Sequence, residues 1–415
     1  MNDQAIKQIA QQLRDVASGA TSLPGNGSRT FQMHDGVTYS LNNEASILFN
    51  EIVGKILNHK DFEQKFSAKY IDGKLKLVFA KLISEEQNDL ERELSLLIEK
   101  LAEFKQESVV FLKIEGVILS DCFELGRVRF VPGDKNLITG MINKVSVIID
   151  VLKNTDTEKE NYKQSIGQDI ELEFSDGCVG IVEVNAEPVR AYEVGKEEVR
   201  RAIDLLRFSS KAIYPLKEDI RIGLKGDHPK TNRLSLVTSK TCFKIEDDSE
   251  GSVFQFEINQ ESLKRMNDLG VFKVSDALIK KQASNFEKSL IRSIHWFSVA
   301  LTQDENSNAF LFLIVALESL FKPERGNSIG GTVAESVAFL MSDNLEGRKK
   351  IISIVRDYYG KRSGVAHGGK ESISDTDLYT LVNIAGTSIM KAIQKLSDFT
   401  SQEQFMSWIE DQKLS

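Results

Sequence analysis

Cysteine is nearly absent. The three that occur, Cys122, Cys178 and Cys242, are odd in number and far apart, which excludes a disulfide framework and a cysteine zinc site. Buried, reduced thiols are expected instead. Histidine is almost as scarce. Of the five, His34, His59, His228 and His295 have no neighbouring Cys/His pattern, so no metal and no cofactor is expected. Long apolar runs are missing too. The longest strongly apolar segment, Ala309–Leu317, is too short to span a bilayer and predicts a helix buried on all sides. The start, Met1-Asn-Asp-Gln4, has neither the basic region nor the apolar run of a secretory signal. A cytoplasmic chain with no membrane partner is the expectation.

No excess of positive charge marks the chain as a general nucleic-acid coat. Its net charge is −8, and residues 276–415 hold 16 Lys/Arg against 17 Asp/Glu, leaving −7 for residues 1–275. Any contact with a polyanion would be confined to a local patch. P-loop, dinucleotide and His-Glu-x-x-His signatures are also missing. Gly223-Leu-Lys-Gly-Asp-His228 lacks the spacing of a phosphate loop.

What is there is an ordinary globular composition, 41% hydrophobic and 27% charged over 415 residues, enough for two or three domains. Residues 1–17 read as an amphipathic helix through Ile6, Ile9, Leu13 and Val16, with a Gly/Ser/Pro/Asn break over Ser18–Ser28. Glu44–Leu57 and Leu90–Phe104 have helical spacing, and Lys74–Leu82 is apolar without a clear period. From Ser108 the pattern turns to short β-branched or alternating runs: Val109–Leu119, Gly126–Val131, Gly167–Phe174, Gly180–Val184, Ile220–Leu224, Leu234–Val237 and Val253–Ile258. Between them Pro132-Gly-Asp134 predicts a turn, Glu197–Ser210 a helix and Glu246–Gly251 an acidic loop. Arg127 and Arg129 are expected to share one face of a strand. The fold class expected is α+β: a mostly helical region over 1–105, an α+β domain over 106–275 and an all-α bundle over 276–415.

The candidate chemistry lies in the bundle. Leu345–His367 reads as one helix whose apolar face carries Ile351, Ile352, Ile354, Val355, Tyr358, Tyr359 and Val365. Arg362 falls near the middle of that face. A guanidinium in an apolar stripe needs a partner, so it is expected to be paired, at an interface, or open to an anion. Five residues on comes His367, followed by Gly368-Gly369. Between Arg348 and Lys370 stand seven Lys/Arg and one acid, Asp357; Lys349, Arg356 and Lys361 are the candidate RNA contacts. Arginine can hold a phosphate through a planar fork, and histidine can exchange protons near neutral pH. Other readings stay open here. Arg362 could simply pair with Glu318 inside a bundle, His367 could serve the helix dipole, and the cations could form a solvated face.

Three stretches together resemble the HEPN superfamily, in its Apea-like branch. They are Phe310-Leu-Phe-Leu-Ile-Val-Ala-Leu-Glu-Ser-Leu-Phe321, then Thr332-Val-Ala-Glu-Ser-Val-Ala-Phe-Leu-Met341 with Glu346-Gly-Arg-Lys-Lys-Ile-Ile352, and finally Asp357-Tyr-Tyr-Gly-Lys-Arg-Ser-Gly-Val-Ala-His-Gly-Gly369. They span roughly residues 285–400. Leu125-Gly-Arg-Val-Arg-Phe-Val-Pro132 and Leu205-Leu-Arg-Phe208 resemble the region that precedes the bundle in such proteins. The resemblance implies a homodimer of helical bundles that cleaves RNA without a metal, in phage defence or a toxin-like system. Arg362 would hold the scissile phosphate and His367 would transfer protons. Ser363 would occupy the polar position after the arginine, and Glu318 would orient Arg362. The N-terminal regions would regulate the bundle, with a phage or regulatory trigger acting there. The alternative is a catalytically inactive HEPN module for dimerisation or binding.

Overall fold

The structure is a computed structural model. It describes residues 1–21, 29–32, 38–84, 89–152, 155–216, 221–224, 227, 234–238, 243–247, 254–321, 329–368 and 372–414. The fold is α+β, and residues 260–413 are all helical among those described. Contacts divide the chain into two compact units, Met1–Val110 with Glu183–Lys196, and Phe111–Val182 with Glu197–Ser415. The expected α+β domain and the expected bundle thus share one unit for most of their length.

In the first unit α1 (Asp3–Ser18) is followed by β1 (Ala20–Thr21), β2 (Arg29–Gln32) and β3 (Thr38–Leu41), then α2 (Asn43–Leu57), α3 (Ala68–Ser84) and α4 (Leu90–Glu103). Side-chain oxygens of Asn2, Asn42 and Asp89 accept from backbone N–H groups of Ala5, Ala45 and Arg92, starting α1, α2 and α4. The apolar stripe of α1, through Ile6, Ile9, Leu13 and Val16, is buried as its period predicts. Lys74–Leu82 proves helical, contributing Leu75, Val78 and Phe79 to a core with Phe49, Phe62 and Phe66. The three strands form an antiparallel sheet in the order β1-β3-β2. Residues 22–28 of the expected break lie outside the described residues.

Glu187 acts as a clasp within this unit. It is 2% exposed. Its carboxylate accepts from the backbone N–H groups of Ser67 at 2.9 Å, Val189 at 2.9 Å and Arg190 at 3.0 Å. Burial alone would raise its pKa, but the Ser67 side chain, foremost, and these backbone donors hold the carboxyl below its ordinary value.

The second unit is built on a five-stranded sheet. Its elements are β4 (Glu107–Glu115), β5 (Val117–Leu119), β6 (Phe123–Leu125), β7 (Val128–Pro132), α5 (Lys135–Leu152), α6 (Asp156–Phe174), β8 (Cys178–Asn185), α7 (Pro188–Ile213) and β9 (Gly223–Leu224), of which Glu107–Val110, Glu183–Asn185 and Pro188–Lys196 are counted with the first unit. The sheet order is β6-β7-β8-β4-β9. A hairpin, β10 (Leu234–Thr238) with β11 (Phe243–Asp247), follows, and β12 (Phe256–Ile258) pairs in parallel with β5. The expected acidic loop begins inside β11, where Glu246 and Asp247 are paired opposite Ser235 and Leu234; residues 248–251 lie outside the described residues. Gly116 (φ +77°) lies between β4 and β5, where a Cβ would come within 1.7 Å of the Arg221 carbonyl oxygen.

Gly167–Phe174 is not a strand but the second half of α6. Ile170, Leu172 and Phe174 alternate, yet Lys163, Ile166, Ile170 and Phe174 also recur at helical spacing. That face is the half-buried one, and it runs along α5. Arg127 does not share a strand with Arg129. It sits with Gly126 (φ +60°) in the two-residue turn between β6 and β7, closed by the Leu125–Val128 pair. Backbone N–H of Gly126 donates to Ser275 Oγ at 2.7 Å.

The remaining elements are α8 (Gln260–Asp268), α9 (Val271–Ile279), α10 (Asn285–Ala300), α11 (Asn306–Leu320), α12 (Ile329–Met341), α13 (Leu345–Gly368), α14 (Asp375–Gln394) and α15 (Gln402–Leu414). A capping box between Ser284 and Glu287 starts α10. Within α11 Ala309, Phe310, Leu313, Ile314, Ala316 and Leu317 are buried, whereas Leu311, Phe312 and Val315 are half-buried along one side, so the helix falls short of the all-round burial expected of it. Ser293 ties α10 to α11 by donating to the Ala316 carbonyl at 2.8 Å. Gln402 Nε2 donates to the Leu320 carbonyl at 2.9 Å, closing the end of α11. Among the described residues no helix is long and apolar enough to cross a membrane.

Candidate functional site

α13 runs unbroken from Leu345 to Gly368. The apolar face expected of it is the packed one. Val355 and Tyr358 are buried, while Ile351, Ile352, Ile354, Tyr359 and Val365 are half-buried. Phe310 of α11 meets the Tyr358 ring edge-on at 5.4 Å, so the helix lies against α11 and Arg362 arrives beside Glu318.

Arg362 Nη2 is 3.4 Å from Glu318 Oε2. The other carboxylate oxygen accepts from the Tyr359 hydroxyl at 3.3 Å. The guanidinium lies 6.0 Å from the Tyr359 ring centre. Burial first, and the facing Glu318 charge second, push the Tyr359 hydroxyl above the ordinary phenol value, so it stays a donor. Arg362 is therefore held by an acid and an aromatic ring while its side chain is still 39% exposed. Such a group is anchored on one side and open on the other.

Ser363 is exposed next to Arg362. His367 lies in the last turn of α13, and its side chain falls outside the described residues. Five residues along an ideal helix place positions 362 and 367 about 140° apart, and α13 has no break near Gly364 to bring them together. Lys361 bridges Asp377 at 2.8 Å and Asp357 at 3.3 Å. Arg356 reaches Glu335 at 3.4 Å, and Lys413 shares that carboxylate at 3.1 Å. Lys349 is exposed and has no acidic partner among the described residues.

From Arg348 to Lys370 the sequence has seven basic residues and one acid. In three dimensions acids of other helices engage three of these cations: Glu335 of α12 meets Arg356, Asp377 of α14 meets Lys361 and Glu318 of α11 meets Arg362. The hydrogen bond from Lys361, above all, holds Asp377 below the ordinary carboxylate range. Asp377 leaves no mark in the sequence and Tyr359 reads there only as part of the apolar face, because each acts on Lys361 or Arg362 through packing and not through any local motif.

A second polar cluster lies on α7 and α10. Asp204 accepts from Ser298 Oγ at 2.5 Å and faces His295 Nδ1 at 2.8 Å. Buried Arg207 donates to the Ile222 carbonyl at 2.5 Å and to Ser298 Oγ at 3.3 Å. This is the arginine of Leu205-Leu-Arg-Phe208. Nothing beside His295 in the sequence marks it, because its partner stands 91 residues away.

Burial pushes the Cys178 thiol up to about 12, and Cys122 is exposed, not buried as expected. Cys242 lies outside the described residues. No three His, Cys, Asp or Glu side chains among the described residues are grouped to hold a metal ion. Compared with protein-family models, with curated proteins and with solved structures, the chain matches none.

Proposed function

We propose that the chain is a metal-independent endoribonuclease of the HEPN type, acting as the effector of a phage-defence or toxin-like system. The observation that carries this reading is the setting of Arg362. It projects from the apolar face of α13, is fixed by Glu318 and Tyr359, and is still open to solvent. In the reaction proposed, a base removes the proton of a ribose 2′-hydroxyl as that oxygen attacks the adjacent phosphorus. The bond from phosphorus to the 5′-oxygen breaks, and the leaving oxygen takes a proton. The products are a 2′,3′-cyclic phosphate and a free 5′-hydroxyl. Arg362 stabilises charge on the non-bridging oxygens, and His367 handles one of the protons.

The unbroken helix supports a two-chain site. If Arg362 and His367 of one chain point about 140° apart, an arginine of one copy can serve the histidine of another across a two-fold axis. Lys349 and the open side of Arg362 supply the RNA contact. Residues upstream of the bundle regulate it, and a phage or regulatory trigger acts there.

The Glu318 pair also favours a second reading, an inactive HEPN module in which Arg362 is structural. One experiment separates the two. Wild type, Arg362→Ala and His367→Ala are incubated with mixed cellular RNA in EDTA and the 3′ ends are identified. Cutting with cyclic-phosphate ends, lost in both variants while the oligomer persists, is the result expected. Cutting that survives in both variants removes Arg362 and His367 from the chemistry.

A further inference from the structure

Between α7 and α10 lies a groove of about 490 Å3, a size ordinary for a small-molecule site. α7 contributes Glu197, Arg200, Arg201 and Asp204 to it, Glu197 being paired with Arg201, and α10 contributes Lys288, Arg292 and His295. The three α10 residues recur at i, i+4 and i+7 and so share one face of the helix. Leu205, Leu278, Ile291 and Ile294 supply an apolar lining.

The cations differ in how far they are already engaged. Arg200 reaches Asp227 at 3.4 Å, and Arg201 is paired with Glu197 and Glu198. Lys288 and Arg292 have no acidic partner among the described residues. Both are exposed.

His295 is oriented, not merely present. Asp204 is 9% exposed, and both of its oxygens are engaged, one by Ser298 and one by His295 Nδ1. That bond makes Nδ1 the donor and leaves Nε2, which has no partner among the described residues, as the free atom of a ring about half exposed. A pair that only pinned two helices together would have no use for two unpaired cations on the same helix face.

We infer that this groove binds a small molecule with an apolar body and one phosphate-like head, the head taken by Lys288, Arg292 and His295. The apolar body rests on Leu278 and Ile291, the half-buried apolar side chains of the lining. The Asp204 hydrogen bond raises the His295 pKa, with burial and Arg207 opposing, so the cationic form with an Nε2–H donor reaches further up in pH. The groups facing it are Asp204, Arg200, Arg201, Glu197 and Arg207 from α7, with Lys288 and Arg292 on its own helix. This site goes beyond the ribonuclease reading and is independent of it. None of its residues lies on α13, and its test involves no cleavage.

The test uses the full chain labelled with [13Cε1]histidine. Five histidines give five signals, and His295→Gln identifies the one at stake. Phenyl phosphate is titrated at about pH 6.5, near the ordinary histidine value, beside benzyl alcohol and inorganic phosphate. The expected result is a saturable shift of the His295 signal. Affinity should fall about tenfold, roughly 1.4 kcal/mol, in the Lys288→Ala/Arg292→Ala double variant, whose replaced side chains are exposed. Benzyl alcohol and inorganic phosphate should each bind more weakly than phenyl phosphate. An unmoved signal, or an equal response in the double variant, overturns the site. An oligoribonucleotide that moves the signal where phenyl phosphate does not also overturns the small-molecule assignment.

Discussion

Arg362 and Glu318, 44 residues apart in the chain, meet at 3.4 Å, and Tyr359 donates to the same carboxylate. The acid therefore positions two side chains of α13 at once. Removing it would leave a guanidinium without its counter-ion and a largely desolvated hydroxyl without its acceptor.

Glu318→Ala is accordingly expected to destabilise the second unit by about 1–3 kcal/mol, mostly through the orphaned Tyr359 hydroxyl. The half-exposed ion pair itself contributes less than about 1 kcal/mol. Urea unfolding of Glu318→Ala and of Glu318→Ala/Tyr359→Phe measures this. The double variant should recover part of the loss, and no recovery would mean that the hydroxyl is satisfied elsewhere.

Lys349 and Lys361 should behave differently although both are basic residues of α13. Lys349→Ala should weaken RNA binding and reduce the salt slope of the affinity by about one. Lys361 is engaged by Asp357 and Asp377, so Lys361→Ala should lower the melting temperature and leave the salt slope nearly unchanged. Binding measured across a range of salt concentrations decides between these roles.

Glu187 makes the first unit sensitive to acid. Its carboxyl is held below the unfolded value, so its stabilising effect is present above the unfolded carboxylate pKa and is lost as pH falls through the lower folded value. Glu187→Gln should be less stable than wild type at neutral pH, and the difference should shrink towards zero in acid. Hydrogen exchange of the amides of Ser67, Val189 and Arg190 against pH reads it directly.

Two glycines should respond with opposite signs. Gly116→Ala places a Cβ against the Arg221 carbonyl at positive φ, which should cost more than about 1 kcal/mol. Gly140, inside α5, has open space where a Cβ would go. There alanine should stabilise by about 0.5–1 kcal/mol. The two melting temperatures should move in opposite directions.

Local periodicity made several elements legible in advance. The stripe of Ile6, Ile9, Leu13 and Val16 is the buried face of α1, and the apolar residues around Arg362 are the packed face of α13. Burial follows period because each helix has one face to hide. Alternation misled at Ile170, Leu172 and Phe174, where two periods overlap and packing against α5 decided for helix. Arg127 was placed on a strand because a two-residue turn leaves almost no mark on so short a segment.

By itself the sequence determined the α+β class, the helical C-terminal region and the presence of an arginine on an apolar helix face. These follow from period, propensity and turn residues within windows of a few turns. Only the tertiary structure decided which charges are engaged. Lys361 meets Asp377 across 16 residues, Arg362 meets Glu318 across 44 and His295 meets Asp204 across 91. Each pair is brought together by the crossing of two helices. Charge in the sequence counts residues, whereas the field at a site depends on distance and burial, and those arise only when the chain is packed.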